Sequence, residues 1–371
     1  MWEAVYMAVD NVVSFWRQNT ETFPKRCSHY DYTSPTRQIW IRAVEEAQAK
    51  IANEKGKPQK TPLKICQDDI SEYDDAMKTT IMKQEMTVLH SNYRDEENMA
   101  EFVLHHLLLG FDHVLLFDDK SHLDFNPIVE LDEAYHRRVT VIRMCEAVNK
   151  IHLIDLVLIA ATDLNVKWLA MLDADEFIAF PDINETVSSW IDTFPYETKR
   201  ININWLTYGS SFLETHPQDQ LLMESFIYRA RSASPIVKTI VKLNKTQYWR
   251  LPHHPHNLIY DGLEQNDPGL RNSLYGVITE PYWSAKNEQY PFMVKNGSIT
   301  SAVIVHFMFQ ARNTCIERKI LRKADDGTGL RVNLMRNESI VKWENWCSHS
   351  HCNAVLDNLT LAKYGPRVRE D

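Results

Sequence analysis

The chain has 371 residues, of which 44% are hydrophobic and 25% charged, and its formal net charge is −9. This is the composition of an ordinary globular protein with ample core, and its acidic balance does not suggest a basic surface for nucleic acid. The apolar runs fall far short of the roughly 20 residues that span a bilayer. Neither a nucleic-acid partner nor a transmembrane segment is expected.

Residues 1–83 are predicted to form a helical N-terminal extension. The first 16 residues have apolar periodicity but carry Glu3 and Asp10, which favours an amphipathic helix over a signal peptide. A second helix is predicted over Ile39–Asn53, followed by a polar linker over Glu54–Pro62. Since no signal peptide is recognised, a cytoplasmic location is expected, with peripheral membrane association as the alternative. The six cysteines are scattered and do not suggest a disulfide framework.

Residues 84–330 carry the pattern of an α/β domain. Apolar strands alternate with helices, and nearly continuous apolar strands indicate a mostly parallel central sheet that helices flank on both faces. The elements predicted in chain order are a strand at Met86–His90, a helix at Glu97–Leu109 that Gly110 ends, strands at Asp112–Phe117 and Val139–Met144, a helix at Cys145–Ala161 and a strand at Trp168–Leu172.

The second half of the chain is predicted to continue this alternation. Its predicted elements are helices at Glu185–Phe194, Leu221–Arg231 and Thr314–Lys323 and strands at Arg200–Leu206, Ile236–Leu243 and Ala302–Phe309. Residues 331–371 are expected to be a tail packed on this domain.

The most informative segment is Trp168–Ile178, in which an apolar strand runs directly into Asp173-Ala174-Asp175-Glu176. On a continuous strand, Asp173 and Asp175 would point to the same side, whereas Glu176 would point away and serve as a structural or acceptor-side carboxylate. Carboxylate oxygens suit Mg²⁺ or Mn²⁺. Ligands bind at the carboxyl ends of strands in such folds, so a metal that holds a diphosphate is expected here.

A second acidic pair, Asp118-Asp119, also follows a predicted strand. Either carboxylate could accept hydrogen bonds from a base or ribose, or the pair could form a turn that caps the next segment.

Other clusters favour structural or substrate-contact roles over metal binding. Adjacent histidines in His253–His256 point to opposite sides of an extended segment, and Cys347–Cys352 offers only one knuckle of a zinc site. His306, within an apolar run, is typical of a core histidine unless other evidence supports it as a ligand. Phosphate-loop, dinucleotide, nucleophile-elbow and zinc-helix motifs are absent from the sequence.

Seven short motifs in order make the region from about Met86 to Gly327 resemble the nucleotide-sugar glycosyltransferases with the A-type fold, in their family-2-like and family-92-like group. The matching residues are Arg94-Asp95-Glu96; His106 and Gly110 to His113; Phe117 to Ser121 with Asp124; Trp168, Asp173, Asp175, Glu176 and Phe177; Trp205 with Gly209-Ser210-Ser211; Lys238, Ile240 and Val241 before His253–His256; and His306-Phe307, Thr314, Glu317, Lys319 and Gly327. Asp95 stands where that group usually has Asn, and Phe307 where Tyr is common.

The resemblance implies a glycosyltransferase A-type (Rossmann-like) fold and transfer of a hexosyl or pentosyl group from a UDP- or GDP-type nucleoside-diphosphate sugar to a glycan or glycoprotein. It implies Mn²⁺ (or Mg²⁺) as the cofactor, bound by Asp175 and His306, with Asp173 reaching the metal or the ribose. Further implied donor contacts are Arg94, Glu96 and Asp119, with Asp118 as the alternative to Asp119, and either Lys238 or Lys319 for the phosphate charge.

The catalytic base remains open. An inverting enzyme needs a carboxylate near the acceptor hydroxyl, for which Asp219 and Glu214 are candidates, although Asp219 could equally cap a helix. A retaining enzyme would need no such base. Two rivals are a catalytically silent A-type domain that binds nucleotide or glycan and a sugar-1-phosphate nucleotidyltransferase, and the latter would need a Gly-rich triphosphate loop that the chain lacks.

Overall fold

The computed structural model describes residues 35–55, 65, 85–121, 135, 137–145, 150–182, 184–217, 220–244, 269–273, 300–315 and 352–357. Six helices and eleven strands lie in these ranges. The helices are α1 (Pro35–Lys55), α2 (Met99–Leu108), α3 (Lys150–Asp163), α4 (Val187–Asp192), α5 (Leu222–Ser225) and α6 (Arg312–Cys315). The strands are β1 (Met86–Tyr93), β2 (His113–Asp118), β3 (Val139–Arg143), β4 (Val166–Met171), β5 (Glu176–Ala179), β6 (Arg200–Thr207), β7 (Tyr228–Arg229), β8 (Val237–Lys242), β9 (Leu270–Asn272), β10 (Val303–His306) and β11 (Val355–Leu356).

Nine strands form one sheet in the order β3-β2-β1-β4-β8-β6-β10-β5, with β9 paired to β6. Within the described residues, five of its eight pairings are parallel and three are antiparallel. The prediction of an α/β fold with a mostly parallel sheet is confirmed, and the strand order is consistent with a Rossmann-like fold. A separate two-stranded sheet pairs β7 with β11.

The sheet is buried on both faces because neighbouring residues of its strands point to opposite sides. Val88, Leu115 and Leu169 lie in a core cluster with side chains of α1 and α3. Their chain neighbours on the other face pack with α2 and α4. Full burial of an aliphatic side chain of this size stabilises a fold by about 1.5–3 kcal/mol, which explains why these strands read as continuous apolar runs.

The predicted extension contributes to this core. Trp40, Val44 and Ala47 of α1 are buried against the sheet, and Ile65 bridges to Met144 beside the edge strand β3. The predicted helix over Val5–Trp16 lies outside the described residues. The division of the chain at residues 83 and 330 stays a prediction.

Two expectations about the chain are wrong. The predicted helix over Leu221–Arg231 is only the short α5 followed by β7, because the Ser211 hydroxyl accepts the Ile227 and Tyr228 amides and β11 pairs with β7. The scattered cysteines were not expected to form a disulfide framework, yet Cys145 and Cys315 are disulfide-bonded. The cytoplasmic location stays a prediction. None of the described helices is long and apolar enough to cross a bilayer.

His113 leads to a prediction about pH. Burial, and to a smaller extent the positive charge of Arg138, together lower the pKa of this imidazole to about 3. The folded state therefore binds fewer protons than the unfolded state between that value and the ordinary pKa of about 6.5. Stability is expected to fall as the pH falls through this window. In His113→Gln the slope should be smaller by up to about 1.4 kcal/mol per pH unit, as measured by urea unfolding between pH 4 and 7. An unchanged slope would contradict the assignment.

Candidate functional site

The carboxyl ends of four parallel strands meet at one edge of the sheet. The Asp119 amide donates to the Tyr93 carbonyl at 2.8 Å, and the Leu172 amide donates to the His90 carbonyl at 3.1 Å, which aligns the ends of β2, β1 and β4. From β1 the chain moves to β2 and β3 on one side and later to β4 on the other, with α2 and α3 on opposite faces. The β1–β4 boundary is thus a topological switch point, where open α/β sheets bind ligands.

The acidic segment after β4 forms a tight reversal, and its residues do not continue the strand as predicted. β4 ends at Met171, the Glu176 amide donates to the Asp173 carbonyl at 3.0 Å, and β5 begins at Glu176. β5 then runs antiparallel to β10, with Glu176 opposite His306. The expectation that Asp173 and Asp175 share a side of one strand is therefore wrong, because Ala174 and Asp175 form a turn and do not continue β4.

Asp173 is held between two ammonium groups. Lys150 at the start of α3 contacts Oδ1, and Lys238 on β8 contacts Oδ2 at 2.8 Å. Burial raises the pKa of this carboxyl, but the two lysines outweigh burial and hold its pKa well below the usual range. Asp173 is therefore an ionised carboxylate, and its charge is already balanced within the protein.

Glu176 lies in the same cluster. Its Oε2 accepts the Asp173 amide at 2.8 Å and lies 3.0 Å from Lys238 Nζ. Burial raises the pKa of this carboxyl despite the lysine, whereas the two carboxylates together raise the pKa of Lys238 against the effect of burial. The expectation that Glu176 points away from the site is wrong, because the reversal turns it back toward Lys238.

Asp175 and His306 form the other side of the reversal. His306 Nε2 lies 3.6 Å from Asp175 Oδ1, longer than a direct hydrogen bond. The Phe307 amide donates to the Asp175 carbonyl at 2.9 Å, and the His306 ring packs edge-on against Trp205. His306 Nδ1 is buried and has no hydrogen-bond partner in the part of the chain described.

No group of three or more His, Cys, Asp or Glu side chains suited to a metal is found among the described residues. The donor set of Asp175 and His306 nevertheless fits Mn²⁺ or Mg²⁺ bound with a substrate. Such ions usually take one or two protein carboxylates and fill their remaining positions with water and substrate phosphates. His306 Nε2 and Asp175 Oδ1 lie 3.6 Å apart, close enough for both atoms to bind one ion, which supports this fit.

The residues predicted to contact the nucleotide lie along the ends of β1 and β2. Arg94 donates to the Asp119 carbonyl at 2.8 Å and forms an ion pair with its carboxylate. Asp118 Oδ1 accepts the Ser121 amide at 2.8 Å, and its other oxygen lies 3.7 Å from Arg143 Nε. Glu96 is half-buried between β1 and α2. Asp118 therefore accepts a hydrogen bond within a turn, which is the second of the two interpretations given above. Asp119 lies beside Arg94 at the carboxyl edge of the sheet.

Of the two candidate bases, Glu214 lies in the described part of the chain and Asp219 does not. Glu214 is largely exposed and lies 3.2 Å from Arg312. Asp219, Lys319, the His253–His256 cluster and Cys347 lie outside the described residues.

The Gly209-Ser210-Ser211 turn is fixed by a distant segment of the chain. The Ser211 amide donates to Asn353 Oδ1 at 3.0 Å, and a Cβ on Gly209 would lie 2.1 Å from the same oxygen. Asp357 accepts from the Tyr208 hydroxyl and lies 2.9 Å from Arg229 Nε. Residues 352–357 therefore hold the turn that follows β6, where the Tyr208 amide donates to the His306 carbonyl at 2.9 Å.

Lys150 is the residue of this site that the sequence patterns missed. It was predicted only as part of a long helix, and no motif marks it. The available signal was its place after β3, because the segment that follows a parallel strand begins at the carboxyl edge of the sheet.

No protein-family model matches the chain, and no curated protein sequence matches it. Among solved structures, a cytidylyltransferase from Leptospira borgpetersenii serovar Hardjo-bovis (strain JB197) is similar, with 11% sequence identity, coverage of 70% of this chain and 94% of that chain, and a TM-score of 0.30. A likeness this distant carries no argument about the site. The fold and the contacts define an α/β protein with a charged cluster at its switch point.

Proposed function

We propose that the protein is a metal-dependent glycosyltransferase of the A-type fold that moves a sugar from a nucleoside-diphosphate sugar to a glycan or glycoprotein acceptor. The observation that carries the proposal is the acidic reversal Asp173–Glu176 at the β1–β4 switch point, with Lys238 and His306 brought to it by β8 and β10. Carboxylates, an imidazole and lysines in one place supply what a metal–diphosphate complex needs.

Each side chain has a separate role in this proposal. Asp175 and His306 hold the Mn²⁺ or Mg²⁺, which when bound supplies Lewis acidity to the diphosphate. Asp173 orients the lysines and reaches toward the ribose. Arg94 and Asp119 contact the nucleotide, and Glu96 lines the same pocket.

The acceptor side is less defined, and inversion and retention both stay open. Glu214 is paired with Arg312 at the surface, so as a base it would have to exchange that partner for the acceptor hydroxyl. Asp219 stays the other candidate base. Lys319 stays the alternative to Lys238 for the phosphate charge. The disulfides of Cys145 and Cys315 favour an acceptor found in an oxidising compartment.

The proposal is tested by hydrolysis of a panel of UDP- and GDP-sugars with Mn²⁺, with Mg²⁺ and with EDTA. We expect one donor to be hydrolysed with the metal and not with EDTA. Asp175→Asn should reduce the rate about 10²–10³-fold, the range for loss of one group that stabilises developing charge.

The matched control is Asp163→Asn, which removes a carboxylate paired with Lys50 at the far end of α3 and should leave the rate unchanged. Hydrolysis of no donor, or an unchanged rate in Asp175→Asn, would overturn the proposal. Binding of a nucleoside diphosphate without any turnover would instead identify the silent domain.

A further inference from the structure

We infer that Lys150 binds the donor diphosphate by exchanging its ion pair with Asp173 for the phosphate oxygens, while Lys238 stays in place and keeps Asp173 balanced. This inference rests on the proposed function and deepens it. It assigns the phosphate contact to a residue that no sequence motif indicates, in place of Lys238.

The placement of Lys150 favours this exchange. Within the described part of the chain α3 begins at Lys150, and the Lys150 side chain is 24% exposed. Among the described residues its hydrogen bond and ion pair are both with Asp173. It therefore carries a positive charge that is accessible to a ligand at the switch point and depends on a single carboxylate.

Lys238 has the opposite character. Its side chain is 1% exposed and lies between Asp173 at 2.8 Å and Glu176 at 3.0 Å. It projects from β8, which is paired on both sides, to β4 and to β6. Its movement toward a ligand would leave the fully buried Glu176 without its cation, and an uncompensated buried charge is costly.

Because Asp173 has two lysine partners, it can lose the ion pair with Lys150 without becoming an unpaired charge. When Lys150 turns to a ligand, Asp173 Oδ2 keeps Lys238, so the carboxylate retains one cation. A diphosphate carries more charge than a monophosphate and offers more oxygens, and an ammonium group is a compact point charge that follows phosphate oxygens without fixed geometry. Lys150 should therefore discriminate diphosphate from monophosphate.

The test is calorimetric titration of the wild-type chain and of Lys150→Met with UDP, UMP, GDP and GMP in the presence of Mn²⁺. For the diphosphate that the wild type binds, Lys150→Met should weaken affinity about tenfold or more, as expected for loss of a hydrogen bond to a charged group. Affinity for the corresponding monophosphate should change less than about threefold, an effect of the size typical of an exposed ion pair. Lys150→Arg should retain most of the diphosphate affinity.

The matched control is Lys50→Met. It breaks the ion pair with Asp163, which lies at the other end of α3 from Lys150, about 20 Å away for 13 residues of helix. It should change neither affinity. Urea unfolding of each variant checks that the fold persists. If the methionine variant does not fold, Lys150→Gln, which also removes the charge, takes its place with the same expected loss of diphosphate affinity.

The outcomes separate the two proposals. If the wild type binds a diphosphate and Lys150→Met binds it equally well, the inference is overturned and the proposed function stands. Equal weakening of diphosphate and monophosphate also overturns it, because Lys150 would then act only through the shape of the site. If the wild type binds no nucleoside diphosphate, the proposed function fails and the inference fails with it.

Discussion

Lys238→Met is expected to lower the free energy of unfolding by about 3–5 kcal/mol, the cost of breaking a buried ion pair by removal of one partner. The side chain of Glu176 is completely buried, and Lys238 is its cation. Its Oε1 has no hydrogen-bond partner among the described residues, so once the ammonium group is gone the carboxylate keeps the hydrogen bond from the Asp173 amide to Oε2 but no cation. Urea unfolding followed by tryptophan fluorescence measures the loss.

A second variant distinguishes charge from packing. Lys238→Met combined with Glu176→Gln removes the stranded charge and should recover a substantial part of the lost stability. Lys167→Met is the control, because it breaks an exposed pair with Glu85 and should cost less than about 1 kcal/mol. If Lys238→Met costs no more than this control, the buried cluster does not have the energetics described.

Asp357→Asn is expected to destabilise the protein by about 3 kcal/mol through the same physics at a different place. The carboxylate is fully buried and balances Arg229, whose Nε lies 2.9 Å away. Tyr208→Phe removes only the hydroxyl that donates to the same carboxylate and should cost about 1 kcal/mol. The difference between the two variants measures the charge.

Amide hydrogen exchange identifies the segment that Asp357→Asn destabilises. The Ala354 and Asp357 amides donate to the Arg229 and Ile227 carbonyls, so both should exchange faster in Asp357→Asn if residues 352–357 leave the surface of β7. Tyr196→Phe is the control, since Tyr196 is almost fully exposed and its change should be within about 0.5 kcal/mol. Unchanged exchange at these amides would contradict the role given to this segment.

Much of the fold follows from local patterns. The strands β1, β2, β3 and β4 were predicted because continuous apolar residues fit a sheet buried on both faces. The end of α2 was predicted from Gly110, which adopts the left-handed conformation (φ 95°) that glycine tolerates. The helix predicted at Leu221–Arg231 failed because its hydrogen-bond partners, Ser211 and β11, lie elsewhere in the chain and carry no local signal.

The candidate site was likewise predictable in part. The acidic ends of β2 and β4 were predictable, since the polarity changes abruptly where an apolar strand stops. The partners of these carboxylates were not. Lys238 is 65 residues from Asp173 in the chain, and Lys150 precedes it in a helix that no motif marks.

By itself, the sequence of Trp168–Ile178 determined that a buried strand ends in a cluster of carboxylates at the carboxyl edge of a parallel sheet. It could not determine where those carboxylates point, because a period-two pattern assumes that the strand continues. Only the tertiary structure decided that the chain reverses at Asp173–Glu176, since β5 is held by antiparallel pairing with β10. That long-range pairing brings Asp175 to His306, and β8 brings Lys238 to Glu176. The charges of the cluster are balanced only after the sheet has formed.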